Sequence, residues 1–285
     1  MILNETYTLN NGIEIPKIAF GTWLMDDETA AQSIKDALDL GYRHIDTAQA
    51  YGNEVGVGHG LRASGLNRED IFVTSKIAAE LKDYDGVLAS IDQSINDLAV
   101  DYIDLMIIHA PQPWAEFRKA NYDQGNLAAW KALETVLKEQ KVRAIGVSNF
   151  EKNDLQNILD NGTIKPAVNQ ILVHIGNTPA ELIQFSQDHD ILVEAYSPIG
   201  HGEIFKIDAI KKMADKYQVS IPQLAIRYTL QLGTLPLPKS TNKAHIENNA
   251  QVDFEISAED MDILRNMEKI ADYGDSKVFP VFNQD

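Results

Sequence analysis

The chain has 285 residues, 44% of them hydrophobic, which is enough for one large core. Its 25 lysines and arginines are outnumbered by 42 aspartates and glutamates, so the formal net charge is −17. This charge repels nucleic acid and anionic membranes, and an anionic ligand would need a local basic cluster. The absence of cysteine excludes disulfides, thiolate metal sites and cysteine nucleophiles, and it fits a cytoplasmic protein.

The N-terminal segment predicts a small hairpin and no targeting signal. Residues 1–16 lack a basic region followed by an apolar run. Within residues 7–16, two short alternating segments surround Asn11-Gly12, which is a strong hairpin signal. No apolar stretch approaches the roughly 20 residues of a membrane span, so we expect a soluble protein without a membrane partner.

Short β-branched runs then alternate with amphipathic helical segments. The predicted strands are residues 18–21, 44–46, 71–76, 103–109, 142–147, 167–170, 192–196 and 235–238. The predicted helices are residues 29–40, 86–98, 127–139, 152–159, 180–189, 207–217 and, after the last strand, 258–267. Eight βα units favour a single α/β domain over residues 1–285, a (β/α)8 TIM barrel with an N-terminal hairpin, an extra C-terminal helix and a substrate-side tail at 271–285. An open doubly wound sheet is the alternative.

Polar side chains close three consecutive predicted strands. Asp46, Lys76 and His109 end the second, third and fourth strands, and Tyr51 follows Asp46 by five positions. In a barrel these ends meet at the face where active sites form. One polar residue at a strand end more often marks only a boundary, but four complementary groups together favour a site.

This set of residue types fits proton transfer to an oxygen. When a hydride adds to a carbonyl carbon, the developing alkoxide must be protonated, and a tyrosine with a pKa near 10 has to be tuned for that role. A neighbouring lysine lowers the tyrosine pKa, and an aspartate stabilises the buried ammonium. A histidine can donate to the substrate oxygen. The residues therefore indicate carbonyl reduction.

At these residues the sequence resembles the aldo-keto reductase superfamily, and the resemblance covers nearly the whole chain. Residues 46–54 match the family's Asp-Thr-Ala, Tyr and Asn-Glu pattern. The resemblance implies Tyr51 as general acid, Lys76 and Asp46 as its tuning pair, and His109 as the substrate orienter. It implies an oxidoreductase that uses NADPH to reduce aldehydes or ketones. The short tail is similar to that of bacterial diketogluconate and aldehyde reductases.

Further family motifs follow the other strands in order. The resemblance assigns to the cofactor Gly21, Thr22, Trp23, Ser148, Asn149, Gln170, Tyr196, Ser197, Pro198, Ile199, Gly200, Lys239, Ser240, Thr241, Asn242, His245, Asn248 and Asn249. Ser148, Asn149 and Gln170 offer donors and acceptors for a carboxamide, and Tyr196 offers a flat face for a nicotinamide ring. Lys239 opens an anion site after the last strand, where barrels often bind phosphate.

Two positions depart from the family pattern. Members that favour NADPH usually carry an arginine six residues after the motif lysine, where His245 stands here. Histidine is mostly neutral at pH 7 and lacks the bidentate fork, so we expect weakened NADPH selectivity and some use of NADH. Asn248 stands where a glutamate commonly precedes the matching Asn249, so an amide replaces a carboxylate beside the adenine.

Aromatic residues predict the walls of a substrate pocket suited to an apolar carbonyl compound or the flat face of a sugar. The predicted wall and substrate-contacting residues are Trp23, Trp114, Phe279, Phe282, Tyr51 and His109. Polar candidates without a predicted place are Asp26, Gln112 and His201. No second basic cluster is expected near Trp114, so nothing in the sequence specifically favours a highly anionic substrate.

Two other functions are alternatives. The barrel could serve as a non-catalytic nicotinamide-binding sensor or regulatory subunit, although a sensor has no need of every catalytic group. A hydrolase using Asp46 and Glu54 as paired carboxylates would leave Lys76 without a role. The seven histidines are scattered, so no metal site is expected, and we expect a monomer.

Overall fold

A computed structural model, which describes residues 1–283, confirms the (β/α)8 barrel. A hairpin of β1 (Thr6–Thr8) and β2 (Glu14–Pro16) precedes eight parallel strands. These are β3 (Phe20–Gly21), β4 (His44–Asp46), β5 (Phe72–Ile77), β6 (Ile103–Ile108), β7 (Val142–Ser148), β8 (Val168–Leu172), β9 (Leu192–Tyr196) and β10 (Leu235–Leu237). They pair in chain order, and backbone bonds of 3.1 Å from Ala19 N to Pro236 O and from Gly21 N to Pro238 O close the sheet. The open-sheet alternative is excluded.

Helices cover the outside of the barrel. They are α1 (Asp27–Asp39), α2 (Glu54–Ala63), α3 (Tyr84–Leu98), α4 (Asp123–Lys138), α5 (Lys152–Asn161), α6 (Ala180–Asp188), α7 (Asp208–Tyr217), α8 (Ile221–Gln231), α9 (Lys243–Asn249) and α10 (Ala258–Arg265). The predicted helices are present with shifted ends. For example, α1 begins two residues before the predicted start because Asp26 caps it, accepting a 2.8 Å bond from Thr29 N.

Helix α2 has no counterpart among the predicted helices because three glycines interrupt its helical pattern. Glycine is a poor helix former, but here it allows close packing against α1 and α3. A Cβ on Gly58 would lie 2.3 Å from the Leu98 carbonyl oxygen, and one on Gly56 would lie 2.3 Å from that of Asp27. Tertiary packing therefore outweighs local propensity in α2.

The hairpin closes the amino-terminal end of the barrel. Leu9 and Ile15 are buried in a cluster with Leu105 inside the sheet. The side-chain amide of Asn10 donates a 2.8 Å bond to the Pro166 carbonyl, which ties the hairpin to the loop before β8. Because this end is sealed by side chains, the site lies at the opposite, carboxyl-terminal end.

Within the predicted tail, residues 271–283 pack over that carboxyl-terminal end, and residues 284 and 285 lie outside the described part of the chain. Tyr273 and Phe282 cluster with Leu172 at the end of β8. The hydroxyl of Ser276 lies 3.1 Å from Nδ1 of His201, which follows β9. Within residues 1–283, no helix is both long enough and apolar enough to cross a membrane.

Candidate active site

A buried ion pair lies at the centre of the site. The Lys76 ammonium on β5 donates a 2.6 Å bond to Oδ1 of Asp46 at the end of β4, and a 2.8 Å bond to the Thr47 carbonyl. The Gln170 amide donates to the other Asp46 oxygen at 2.9 Å. The attraction between the two charges, with the further bonds to Thr47 and Gln170, offsets much of the cost of burying them. Burial acts to lower the pKa of Lys76, but Asp46, Tyr51 and Glu194 together outweigh it, so the pKa of Lys76 is raised and its charge retained.

Tyr51 lies directly beside this pair. It ends the turn Gln49–Tyr51 after β4, and its ring centroid is 5.1 Å from the Lys76 ammonium. Burial raises the pKa of Tyr51, the Lys76 charge opposes that shift, and Asp46 adds to it. The hydroxyl therefore stays protonated at neutral pH, as a proton donor must. Lys76 lowers the pKa of Tyr51, as predicted, but burial raises that pKa by more.

His109 follows β6 and faces Tyr51. The two rings meet edge to face at 5.7 Å, and the other side of His109 meets Trp114 edge to face at 5.1 Å. Burial and the charges of Lys76 and Lys82 hold the pKa of His109 well below its ordinary value. Its Nδ1 is buried without a hydrogen-bond partner in the described residues. The imidazole is therefore neutral.

A cavity of about 690 Å³ opens over these groups, within the size range of small-molecule sites. The structure brings most of the predicted residues together on its wall. They are Gly21, Thr22, Trp23, Asp46, Tyr51, His109, Trp114, Ser148, Asn149, Gln170, Tyr196, Ser197, Pro198, Ile199, Lys239, Phe279 and Phe282. Lys76 lies beneath the wall, fully buried. Val278, Pro280 and Val281 of the tail also line the cavity and were not predicted individually.

Polar side chains surround the flat ring of Tyr196. The Tyr196 hydroxyl donates a 2.7 Å bond to Oδ1 of Asn149, and the Asn149 amide donates a 3.0 Å bond to the His109 carbonyl. Asn149 and Ser197 adopt φ values of 59° and 49°, left-handed conformations that cost energy and are concentrated at functional sites. With Ser148 and Gln170 beside it, this donor and acceptor set fits a nicotinamide carboxamide, and the ring fits its stacking partner.

The predicted phosphate and adenine residues after β10 lie outside this cavity wall, except Lys239. Asn242 caps α9, its side chain accepting bonds of 2.9 and 3.2 Å from the backbone nitrogens of Ala244 and His245. Asn248 accepts a 2.8 Å bond from the Ser220 hydroxyl. The remaining assigned residues in this region are Ser240, Thr241 and the buried Asn249, and Gly200 lies in the turn after β9. Among the described residues of this set, Lys239 is the one that lines the cavity.

The three polar candidates without a predicted place have separate positions. Asp26 caps α1, as described, and Gln112 accepts a 3.3 Å bond from the Arg118 backbone nitrogen. His201 lines the cavity, where its ring lies 4.3 Å from that of Phe282. Glu54, the second carboxylate of the hydrolase alternative, is absent from the cavity wall and accepts bonds from Ser75 and Ser94. It supplies no paired carboxylate.

Glu194 was missed by the sequence reasoning. It is fully buried on β9, where it accepts a 2.7 Å bond from the Gln170 amide that also binds Asp46. Burial and the Asp46 charge raise the pKa of Glu194 to about 8. The signal that could have found it is a carboxylate in the middle of the apolar strand Leu192–Tyr196.

A second cavity of about 900 Å³ adjoins the first and shares Trp114, Asn149 and Tyr196 with it. Its wall carries several basic side chains, among them Arg118 and Lys277. The expectation that no basic cluster lies near Trp114 is therefore wrong. The sequence could not reveal the cluster because its members come from segments far apart in the chain.

The barrel and the groups at its open end define a class, the oxidoreductases that reduce carbonyl groups. The sequence profile of the aldo/keto reductase family matches residues 17–269. The chain belongs to this family, and its activity is the NAD(P)H-dependent reduction of carbonyl compounds to alcohols.

Similar proteins support the assignment along the whole chain. The chain is 39% identical over 269 residues to the glyoxal reductase of Bacillus subtilis (strain 168), which covers 94% of each protein. An aldo/keto reductase structure from Brucella melitensis superposes with a TM-score of 0.87 at 35% identity, covering 93% of this chain and 98% of that one. A Bombyx mori aldo-keto reductase in complex with NADP gives a TM-score of 0.83 at 32% identity, covering 98% and 99%.

Proposed function

We propose that Tyr51 protonates the carbonyl oxygen of an aldehyde or ketone during its reduction. The observation that carries this proposal is the position of a protonated tyrosine at the cavity wall, with the Lys76 ammonium 5.1 Å from its ring centroid and the neutral His109 ring at 5.7 Å. Among the described residues, no other titratable hydroxyl on this wall has a buried cation beside it; the Tyr196 hydroxyl is bonded to Asn149.

The four side chains have separate roles. When bound, the reduced nicotinamide supplies the hydride. Tyr51 donates its proton to the carbonyl oxygen as negative charge develops there, and Lys76 stabilises the phenolate that Tyr51 becomes. Asp46 holds the ammonium in place. His109, which is neutral, donates a hydrogen bond to the same oxygen and fixes its orientation.

The proposed cofactor is NADPH, with NADH as a second hydride donor. The Bombyx mori relative that contains NADP supports the first choice. We assign the carboxamide to Ser148, Asn149 and Gln170, and the ring to Tyr196. The phosphates are assigned to Lys239 and Ser240, the adenosine phosphate to His245, and the adenine to Asn248 and Asn249. The other residues proposed to contact the cofactor are Gly21, Thr22, Trp23, Ser197, Pro198, Ile199, Gly200, Thr241 and Asn242.

The proposed substrate end of the cavity is aromatic. The Trp23 ring lies 4.8 Å from that of Phe279 and 6.1 Å from that of Phe282, and Trp114 covers His109. Such walls favour binding of an apolar or flat carbonyl compound and exclude water from the reacting oxygen. The Bacillus subtilis relative is named a glyoxal reductase, which supports a small aldehyde as substrate. A monomer and a cytoplasmic location stay predictions.

The test is the absorbance of the reduced nicotinamide with a panel of aldehydes and ketones. We expect Tyr51→Phe to lower kcat by about 10²–10⁴-fold, the range for loss of general acid catalysis, while cofactor binding measured by fluorescence is kept. Tyr84→Phe, which removes a hydroxyl bonded to Thr135, is the matched control and should keep its rate. Near wild-type turnover in Tyr51→Phe would rule out the proton-donor role. Cofactor binding without turnover of any carbonyl by the wild type would favour the sensor alternative.

A further inference from the structure

The second cavity has an unusual charge for this protein. Its basic wall residues are Arg118, Lys119, Arg265, Lys269 and Lys277. Among the described residues, Glu151 is the single carboxylate on that wall. Acidic residues outnumber basic ones by 42 to 25 in the whole chain, so the cavity reverses the sign of the protein's charge. A concave site lined by one sign of charge concentrates ligands of the opposite sign.

The ion pairs of two of these basic residues, Arg265 and Lys277, leave their positive charge accessible to a ligand. Arg265 pairs with Asp262 and Lys277 with Asp272, each at 3.2 Å. The aspartates are outside the cavity wall, and their side chains are 69% and 75% exposed. Exposed pairs of this kind are weak, so an anion in the cavity can exchange with the aspartates at small cost.

Arg118 differs from these because the protein holds it in place. Its guanidinium donates a 2.8 Å bond to Asp154 and a 2.6 Å bond to the Asn149 carbonyl. Its backbone has a φ of 61°, and the backbone nitrogen donates to Gln112. A left-handed conformation at a non-glycine residue persists only where surrounding contacts impose it. Arg118 also pairs with Glu151 at 3.3 Å, so it is a fixed guanidinium donor on the cavity wall whose charge is shared with two carboxylates.

A continuous row of rings joins this charge to the proposed catalytic groups. The centroids of His109 and Trp114 are 5.1 Å apart, those of Trp114 and Phe117 are 5.6 Å apart, and the Arg118 guanidinium carbon lies 4.8 Å from the Phe117 centroid. The two cavities also share Tyr196 and part of the tail. A molecule with its carbonyl beside His109 can therefore extend past Trp114 into the second cavity.

We propose that the second cavity binds an anionic group, a carboxylate or a phosphate, carried by the carbonyl substrate at a distance from its reacting carbon. This inference rests on the proposed function, because the carbonyl end is placed at Tyr51 and His109. It assigns the substrate class as oxo acids or phosphorylated aldehydes, whose apolar middle contacts the Trp114 and Phe117 rings.

The test compares charged substrates with neutral substrates of the same length. Linear aldehydes that end in a carboxylate are assayed beside their methyl esters over a series of chain lengths, and phosphorylated aldehydes are assayed beside their hydroxy analogues. We expect the wild type to favour one or both anionic members in kcat/KM, mainly through KM, by about two- to fivefold at the best length. This preference should shrink as ionic strength rises. The arm with the larger preference identifies the anion.

Variants then locate the preference in the cavity. Lys277→Gln and Arg265→Gln should each lower the acid-to-ester ratio of kcat/KM, and the double variant should lower it further. Lys165→Gln is the matched control, because the Lys165 side chain is 41% exposed and pairs with Asp190 at 3.1 Å beside the hairpin, away from the site. Equal kcat/KM for charged and neutral members at every length, or a ratio unaltered in the double variant, would overturn this inference alone. Failure to reduce either member would overturn the proposed function.

Discussion

The carboxyl group of Glu194 and the carboxylate of Asp46 are joined by one side chain, the amide nitrogen of Gln170, at 2.7 and 2.9 Å. The second oxygen of Glu194 is buried and has no partner in the described residues. Two carboxylates that share a donor in a dry interior do not readily both ionise. The acid beneath the site is therefore expected to keep its proton at neutral pH.

This relationship predicts a falling stability with rising pH. Burial raises the pKa of Glu194 from 4.5 to about 8, so between these values the native protein holds a proton that the unfolded chain releases. The stabilising contribution of this Glu194 proton to the free energy of unfolding is fully present below pH 4.5. It is lost as pH rises towards 8, by about 1.4 kcal/mol per pH unit. Urea unfolding at pH 5.5 and 8 should show a smaller pH difference for Glu194→Gln than for the wild type. The exposed Glu255→Gln is the control, and equal pH differences in all three proteins would contradict the prediction.

The Lys76–Asp46 pair predicts a large stability loss on removal of one partner. Lys76→Met leaves the Asp46 charge buried and uncompensated, which costs about 3–5 kcal/mol in the free energy of unfolding. Lys35 pairs with Asp39 at the same 2.6 Å, but their side chains are 41% and 39% exposed, so Lys35→Met should cost about 0–1 kcal/mol. Denaturant unfolding measures both. Adding Asp46→Asn to Lys76→Met should recover part of the loss, and similar losses for the two lysine variants would refute the argument.

The environment of His109 predicts a flat pH profile near neutrality. Burial first, and then the charges of Lys76 and Lys82, hold the pKa of His109 well below 6.5. The imidazole is protonated only below that lowered pKa, so it does not titrate between about pH 6 and 7.5. We expect the wild-type kcat/KM for carbonyl reduction to show no inflection near pH 6.5. An inflection there that disappears in His109→Asn would show that the imidazole titrates normally.

The position of His245 predicts a gain of NADPH preference on substitution by arginine. The residue is exposed on α9, and Asn242 caps that helix just before it. His245→Arg adds a permanent charge and a bidentate donor for a phosphate, and should raise the ratio of kcat/KM for NADPH over NADH by about tenfold. His59→Arg, at an exposed position on α2, is the control for added charge. If the wild type already strongly prefers NADPH and His245→Arg leaves that preference unchanged, His245 does not contact the cofactor.

The barrel and its open end could be predicted because each depends on a local signal. A strand that ends in Asp46 or His109 is visible in the sequence, and parallel strands necessarily bring such ends to one face. Helix α8 also carries a local signal, since Ser220 and Gln223 form a capping box at its start, but it was not among the predicted helices. In helix α2 the local signal is misleading, because its glycines disfavour a helix in the sequence but allow close packing in the fold.

The features that escaped prediction arise from assembly. Glu194 acquires its raised pKa from burial and from the charge of Asp46 on β4, which no local pattern reveals. The basic cavity combines the loop after β6 with the end of α10 and the tail, so Arg118 and Lys277 are near each other only in the folded chain. Predictions of this kind need coordinates because charge density is a property of three-dimensional neighbours.

The closure of the barrel by contacts between distant residues has a consequence during translation. The hairpin leaves the ribosome first, but Asn10 bonds to the carbonyls of Pro166 and Asp190, which are synthesised much later. Gly21 of β3 likewise bonds to Pro238, which follows β10. At a synthesis rate of about 5–20 residues per second, strand β3 is exposed for roughly 10 to 40 seconds before its last neighbour, β10, has been synthesised. Nascent chains of this protein should therefore be clients of ribosome-associated chaperones until β10 emerges.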